Sequence, residues 1–337
     1  MKILVDAFGG DNAPSEVITG VVQAVNEREG FTVALIGQED VINARLSEQV
    51  YDKNRISVIN ATEVITCEEE PTVAIRKKPN SSLCVAFKEL KENEEASALV
   101  SAGSTGAVLV GATLKVGRFA GVSRPALCPV LPTFNDSNLI LLDCGANADC
   151  KAQNLHDFAI LGNEYCKTVL GIKKPRIALL SNGTEDEKGN ALNHEVFPIL
   201  KEDKTLNFIG NMEARDILSG DADVVVTDGF SGNIALKSIE GSVMGLMKLI
   251  KKEIYSSFKA KIGGMLIKKN MKNIKAKMDY QKGGGALFLG VKKLIIKAHG
   301  SSTAETFKNC VFQAVDVSSR GVVEAMADAF AKTEGNA

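Results

Sequence analysis

The chain has 337 residues, with 40 Lys and Arg against 41 Asp and Glu, 45% apolar and 24% charged residues. This is ordinary globular composition with enough chain for a large core. It excludes intrinsic disorder, a collagen-like repeat and a small disulfide-stapled scaffold, and the near-zero overall charge argues against a general nucleic-acid binder.

From the first residues onward, short apolar runs recur and stop at a polar residue or glycine: Ile3–Val5 before Asp6, Val33–Ile36 before Gly37, Leu99–Val100 before Ser101, Leu139–Leu142 before Asp143. The series continues with Ile177–Leu180 before Ser181, Val224–Val226 before Thr227 and Asp228, and Leu294–Ile296 running to His299. Stretches of helical period lie between them, such as Val17, Ile18, Val21, Val22 and Val25, or Val41, Ile42, Arg45 and Leu46. Buried strands alternating with helices predict an α/β fold with a mainly parallel sheet and helices on both faces. Ligands of open α/β sheets bind outside the carboxyl ends of the strands. Asp6, Ser101, Asp143, Ser181, Asp228 and His299 are therefore expected on one rim. With no repeat and no low-complexity linker, residues 1–337 read as a single domain.

The N-terminus reaches Asp6 after too few apolar residues for a signal peptide. The uncharged stretch Ala96–Leu114 is interrupted by Ser101-Ala102-Gly103-Ser104-Thr105-Gly106 and fits strand, turn and helix better than a membrane span. Cysteines 67, 84, 128, 144, 150, 166 and 310 form no CxxC and no paired metal-ligand spacing, the pattern of reduced cytosolic thiols. No HExxH or His/Cys/Asp cluster demands a metal, and no GxSxG elbow marks a serine nucleophile.

One segment breaks the even charge. Lys248–Lys277 holds ten lysines and one glutamate among Leu249, Ile250, Ile254, Phe258, Ile262, Met265, Leu266 and other apolar residues. With Gly263-Gly264 as a break, it reads as a basic amphipathic helical hairpin, a protrusion over residues 240–282. Its lysines are either a solvated face over an apolar packing surface, or a surface for an anionic membrane or acidic protein; Lys248, Lys251, Lys252, Phe258, Met265, Leu266, Lys268 and Lys269 are the candidate contacts.

Five polar segments could carry chemistry. Asp6-Ala7-Phe8-Gly9-Gly10-Asp11 follows a strand, but lacks GxGxxG and flanks its glycines with aspartates, so it is either a structural turn or a ligand-facing loop. Ser101-Ala102-Gly103-Ser104-Thr105-Gly106 offers several donors to an anion without the lysine of a Walker loop. Arg76, Lys77 and Lys78 could supply positive charge from another element. Asp143–Asn147, Ser181–Asn190 and Asp228–Asn233 are each polar and Gly-rich after a strand, with asparagine a neutral donor for a carbonyl or phosphate oxygen. His299 closes the last predicted strand and is the histidine best placed for a site, whereas His156 and His194 look helix-borne.

These motifs, in order from Asp6-Ala7-Phe8-Gly9-Gly10-Asp11 with Ala13-Pro14 through those at 76–82, 101–107, 143–147, 183–190, 228–233, 283–290 and 299–302, span almost the whole chain. Together they closely resemble the bacterial phosphate acyltransferases of phospholipid synthesis. Phe8, Asn12, Ser104 and Gly285-Ala286-Leu287-Phe288 depart from that family's usual residues. The resemblance implies a three-layer α/β/α fold like isopropylmalate dehydrogenase and phosphotransacetylase, a homodimer, and peripheral contact with the cytoplasmic membrane through the basic protrusion. It also implies long-chain acyl transfer from acyl carrier protein to inorganic phosphate, with no cofactor and no covalent enzyme intermediate, and a membrane glycerol-3-phosphate acyltransferase as downstream partner. The residues then expected at the reaction are Lys188, Asn233 and His299. Those expected at phosphate or substrate are Asp6, Gly9, Gly10, Arg76, Ser104, Thr105, Gly106, Asn147 and Asp228. Three alternatives remain: a phosphotransacetylase for short acyl-coenzyme A, a metal- and NAD-dependent decarboxylating dehydrogenase, and a non-catalytic membrane scaffold.

Overall fold

The computed structural model describes residues 1–278 and 283–334. The chain opens with strand β1 (Lys2–Asp6), helix α1 (Ser15–Glu27), β2 (Thr32–Gly37), α2 (Glu39–Ser47) and β3 (Ile56–Asn60). Next come α3 (Pro71–Lys77), α4 (Ser82–Glu92), β4 (Ala96–Ser101) and α5 (Thr105–Gly111), then the short strands β5 (Ala126–Cys128) and β6 (Val130–Pro132). A second alternating run follows: β7 (Asn138–Leu142), α6 (Ala152–Thr168), β8 (Arg176–Ser181), α7 (Ala191–Glu202), β9 (Asn207–Glu213) and β10 (Val224–Val226). Three consecutive helices, α8 (Gly229–Ile254), α9 (Phe258–Leu266) and α10 (Lys268–Lys277), precede β11 (Ala286–Leu289), β12 (Leu294–Lys297), α11 (Ala304–Ser318) and α12 (Val322–Glu334).

The expected α/β layering is present, but the strands form two sheets among the described residues. A seven-stranded sheet runs β3-β2-β1-β4-β12-β11-β5 and a five-stranded sheet runs β6-β7-β10-β8-β9. The division falls at Pro129, between β5 and β6. In the first sheet β3, β2, β1, β4 and β12 run parallel and β11 is antiparallel to both its neighbours, and in the second β7, β10, β8 and β9 run parallel with β6 antiparallel at the edge. The two sheets stay joined, because the Cys144 amide donates to the Leu127 carbonyl (3.0 Å) and the Leu127 amide to the Asp143 carboxylate (2.9 Å).

Apolar side chains that alternate through the strands meet helix faces on both sides. Ile3, Val5, Val33 and Leu35 join Val17, Ile18 and Val21 of α1 in one cluster; Leu4, Ala34 and Ile36 join Leu83, Phe87 and Leu90 of α4 in another. Each large aliphatic side chain so buried contributes about 1.5–3 kcal/mol. Gly20 lets α1 approach α11 closely, since a Cβ there would lie 2.5 Å from the Ala304 carbonyl oxygen. The stretch Ala96–Leu114 is indeed strand, turn and helix, and among the described residues no helix is long and apolar enough to cross a membrane.

Strands β3, β5, β6, β9 and β11 have no counterpart among the predicted runs. Two of them, β3 and β9, are half-exposed edge strands of mixed polarity, and β5 and β6 are three residues each beside prolines. A further correction concerns Gly263-Gly264, which does not break the basic segment. Helix α9 runs through both glycines, and the chain turns instead at Tyr255–Ser257 and at Ile267. A Cβ on Gly264 would lie 2.3 Å from Cγ2 of Ile254, so this glycine serves the packing of α9 on the end of α8. The last part of the expected protrusion, 279–282, lies outside the described residues.

Candidate active site

The register of the seven-stranded sheet sets one row of strand ends. Val5 pairs with Val100, and Ser101 pairs with Lys297, so Asp6, Ser101 and Lys297 sit side by side where β1, β4 and β12 finish. Asp6 is buried and accepts the Ser101 hydroxyl at 2.7 Å. Burial raises its pKa, partly opposed by the hydrogen bonds it accepts. Ser101 Oγ in turn accepts the Gly103 amide at 3.1 Å. Gly9 is required by contact: a Cβ would lie 2.6 Å from both Asp6 Oδ2 and the Gly103 nitrogen. Gly10 is required by conformation, with φ at 104°. The loop that these glycines permit is tied to the third strand end by the Asp11 amide, which donates to Gly300 O at 2.8 Å.

Past this turn, Ser104 and Thr105 open α5 half-buried, and neither hydroxyl has a hydrogen-bond partner among the described residues. Gly106 lets α3 lie against α5, since its Cβ would meet Pro71 Cγ at 2.6 Å. That brings the helix carrying exposed Arg76 beside the opening of α5. Lys78 is occupied elsewhere, pairing with Glu69 at 2.7 Å.

The five-stranded sheet supplies a second row. Asp143 follows β7 and turns inward, accepting the amides of Leu127, Ala146 and Asn147 and the Asn147 side chain. Burial nevertheless raises its pKa. The second Asn147 amide proton goes to the Pro125 carbonyl at 2.8 Å, so both side-chain donors of Asn147 are spent within the protein. Asp228 caps α8 through the Ser231 amide at 2.8 Å. Asn233, exposed on the second turn of α8, stands over Gly145, where a Cβ would lie 3.6 Å from its Cγ. Ala146 packs against the cluster that contains Ala107 and Val108 of α5, so the β7 loop borders the Ser104–Gly106 region.

Lys188 lies in the loop after β8, exposed, with its Cγ over Gly183. The loop is anchored on both sides: Asn193 donates to Leu180 O and Asn211 to Glu185 O, at 2.8 and 2.7 Å. Between this loop and α8 opens a cleft of about 830 Å³ lined by Ser181, Asn182, Asn190, Ser231 and Ser238. The buried Ser181 hydroxyl on its wall has no partner among the described residues.

His299 stands at the end of the first row and faces α8, where Lys237 and Glu240 lie close enough to bias its charge. Burial lowers its pKa first, and the cations Lys237 and Lys297 lower it further. Its Nδ1 lies 2.8 Å from the Ser301 hydroxyl and 3.3 Å from the Ser301 amide, both able to donate to it, an arrangement that favours the neutral tautomer with its proton on Nε2. We expect the His299 imidazole to titrate below the usual value of about 6.5 and to be neutral at pH 7. Proton NMR of its ring would show a midpoint under that value; one at or above it would contradict the assigned burial and cationic surroundings. The other two histidines are on helices as expected, His156 in α6 pairing with Asp203 at 2.8 Å and His194 in α7.

Among the candidates on the basic segment, Lys248, Lys251, Phe258, Met265 and Lys268 line an apolar groove of about 1060 Å³ bounded by α8, α9 and α10. Lys252, Leu266 and Lys269 lie on these helices outside the groove, and Leu266 is 80% exposed. A buried strand-end side chain that the sequence did not single out is Lys297, paired with Ser101. The signal was present, a lysine at the end of the apolar run Leu294–Ile296, but the polar termination was placed two residues later at His299.

The two strand-end rows bury the carboxylates of Asp6 and Asp143, and the loops and helix starts around them carry the half-buried Ser104 and Thr105 and the exposed Asn233 and Lys188. The profile of the family described as fatty acid synthesis protein matches residues 1–325. A phosphate acyltransferase of Pediococcus pentosaceus is 46% identical over 98% of this chain and 94% of its own. One from Bacillus licheniformis is 48% identical over 96% of each. The chain belongs to this family, the phosphate acyltransferases of fatty acid and phospholipid synthesis. Among solved structures, a Streptococcus pyogenes phosphotransacetylase superposes with a TM-score of 0.63 at 18% identity, covering 94% of both chains. A 4-hydroxythreonine-4-phosphate dehydrogenase of Salmonella typhimurium gives 0.52 at 12% identity over 94% of this chain and 99% of that one. These distant likenesses place the family member in the three-layer α/β/α fold expected from the sequence.

Proposed function

We propose that this protein transfers a long-chain fatty acyl group from acyl carrier protein to inorganic phosphate, releasing the carrier thiol and acyl phosphate. The observation that carries this reading is the near full-length identity of 44–48% to phosphate acyltransferases. A phosphate oxygen attacks the thioester carbon, the carbon–sulfur bond breaks, and the proton lost by phosphate goes to the departing sulfur. The acceptor is itself the nucleophile, so the protein's task is to hold it about 3–3.5 Å from the carbonyl carbon and to stabilise the oxyanion.

The surroundings of six of the seven cysteines support direct attack, the seventh, Cys67, being exposed. Burial pushes the Cys150 and Cys310 thiols up to about 11 and about 12, and raises those of Cys84, Cys128, Cys144 and Cys166, so none of these six is a ready thiolate. In this reading Ser104, Thr105 and the Gly106 amide hold phosphate, with Arg76 adding charge. Asp6, Gly9, Gly10, Asn147 and Asp228 shape the two loops that hold it. Lys188 and Asn233 polarise the carbonyl, and neutral His299 donates through Nε2 to orient the substrate. A thiol with a pKa of about 8.5 leaves with little acid assistance, which suits a neutral histidine.

The groove along α8–α10 gives a long acyl chain an apolar place to lie, and its lysine rim suits the acidic carrier protein or an anionic membrane surface. Exposed Phe258 and Leu266, at 79% and 80%, fit peripheral membrane contact by a cytoplasmic protein. Exposed Leu246 and Leu249 on α8, outside the groove, suit burial against a second copy in a homodimer.

The fold likeness to phosphotransacetylases favours one other reading, short acyl-coenzyme A as donor. Comparing kcat/KM for palmitoyl-acyl carrier protein and acetyl-coenzyme A, with and without anionic phospholipid vesicles, separates the two. The carrier-protein donor should be preferred and the protein should co-sediment with the vesicles. A preference for acetyl-coenzyme A would overturn the donor assignment, and absence from the vesicle pellet would overturn the membrane contact.

A further inference from the structure

We infer that Lys297 is a phosphate-positioning residue, its ammonium held beneath the Ser101–Gly103 turn as the fixed positive charge that draws inorganic phosphate to the ends of β1, β4 and β12. The inference rests on phosphate being the acceptor and adds a residue that the reading above does not use.

Register and burial carry it. Lys297 is paired with Ser101, next to Asp6 in the same row, and is only 9% exposed. Its Nζ donates to Ala102 O at 3.4 Å and to Ala298 O, both carbonyls beside the candidate phosphate turn. No carboxylate lies within 4 Å of it among the described residues, so this is a buried cation without a counter-ion. Such a group is costly to keep, and an apolar side chain of the same length would satisfy the packing better. A strut for two carbonyls does not require a charge. An anion arriving at the strand ends does, and would supply the missing counter-charge.

The groups near Lys297 come from every side. Asp6 belongs to β1, Asp11 to the loop after it, Cys67 to the segment before α3, Cys310 to α11, and His299 follows on its own strand. The two aspartates favour the ammonium but do not pair with it, and burial pulls its pKa down to about 8. The charge is therefore largely present at pH 7 and disappears as pH rises through about 8.

Calorimetric titration of the full-length protein with inorganic phosphate tests this directly. In Lys297→Met we expect phosphate affinity to fall at least about tenfold and the KM for phosphate to rise in step. The KM for the acyl donor should stay unchanged, and the melting temperature should be equal or higher. Unchanged phosphate affinity in a folded Lys297→Met would overturn the assignment while leaving phosphate as acceptor intact. Absence of phosphate binding by the unaltered protein, both free and with the acyl donor present, would overturn the acceptor itself. A variant that fails to fold would make the unaltered protein decisive. Phosphate gains rather than loses negative charge as pH rises, so affinity that weakens as pH passes through about 8 would report loss of the Lys297 charge, and a flat profile would reject the cation.

Discussion

Replacing Lys188 by alanine should reduce phosphate-dependent acyl transfer by about 10²–10³-fold, the usual loss when one donor to a developing oxyanion is removed. Stability should hardly change, because exposed side chains away from packed features usually contribute within about 0.5 kcal/mol. Lys188 is exposed and makes no ion pair among the described residues, while the loop that carries it is held by Asn193 and Asn211 rather than by the lysine. Steady-state kinetics alongside a melting curve would separate the two effects. His299→Ala should lose only about tenfold, since a thiol of pKa about 8.5 needs little help to depart. Equal losses in the two folded variants would refute this division of roles.

The largest effect on stability is expected at Asp143. Its carboxylate accepts three backbone amides and one side-chain amide at the seam between the two sheets. Asp143→Ala strands those donors, and each buried donor left unpaired costs about 1–3 kcal/mol. A loss of at least about 4 kcal/mol follows when several are stranded together, enough to remove much of the stability of a typical domain. Asp143→Asn keeps the shape and one acceptor oxygen and should lose roughly half as much. Denaturant unfolding of the three proteins would measure it. A melting transition of Asp143→Ala within a degree of the unaltered protein would show that the seam does not depend on this carboxylate.

The strand ends were legible one by one, because a buried parallel strand is an unbroken apolar run that stops at a polar residue, but the single rim expected for them is divided between two sheets. Asp6, Ser101 and Asp228 all fall where such runs stop. What those residues do there was less legible. Asp143 and Asn147 have the polarity of a ligand loop, yet they spend their hydrogen bonds on each other and on the seam, because the second sheet buries them. Lys297 was hidden for the opposite reason: a lysine at the end of a strand reads as solvated, and only the turn closing over β4 and β12 makes it buried.

The basic segment shows the same limit. Its helical period and charge were plain in the residues, but the breaks fell at Tyr255–Ser257 and Ile267 instead of Gly263-Gly264. Packing of α9 on Ile254 uses Gly264 as a close contact, and tertiary contact outweighs the low helix propensity of glycine, about 1 kcal/mol per residue. Edge strands such as β9 escaped because half-exposed sequence carries no continuous apolar run.

Direct acyl transfer to phosphate can be followed through release of free thiol from palmitoyl-acyl carrier protein with phosphate present or omitted. Hydroxylamine trapping would report acyl phosphate in the same samples. Thiol release should require phosphate and be matched by an equal amount of trapped acyl phosphate. Thiol release at the same rate without phosphate, or no release in either sample, would contradict direct transfer.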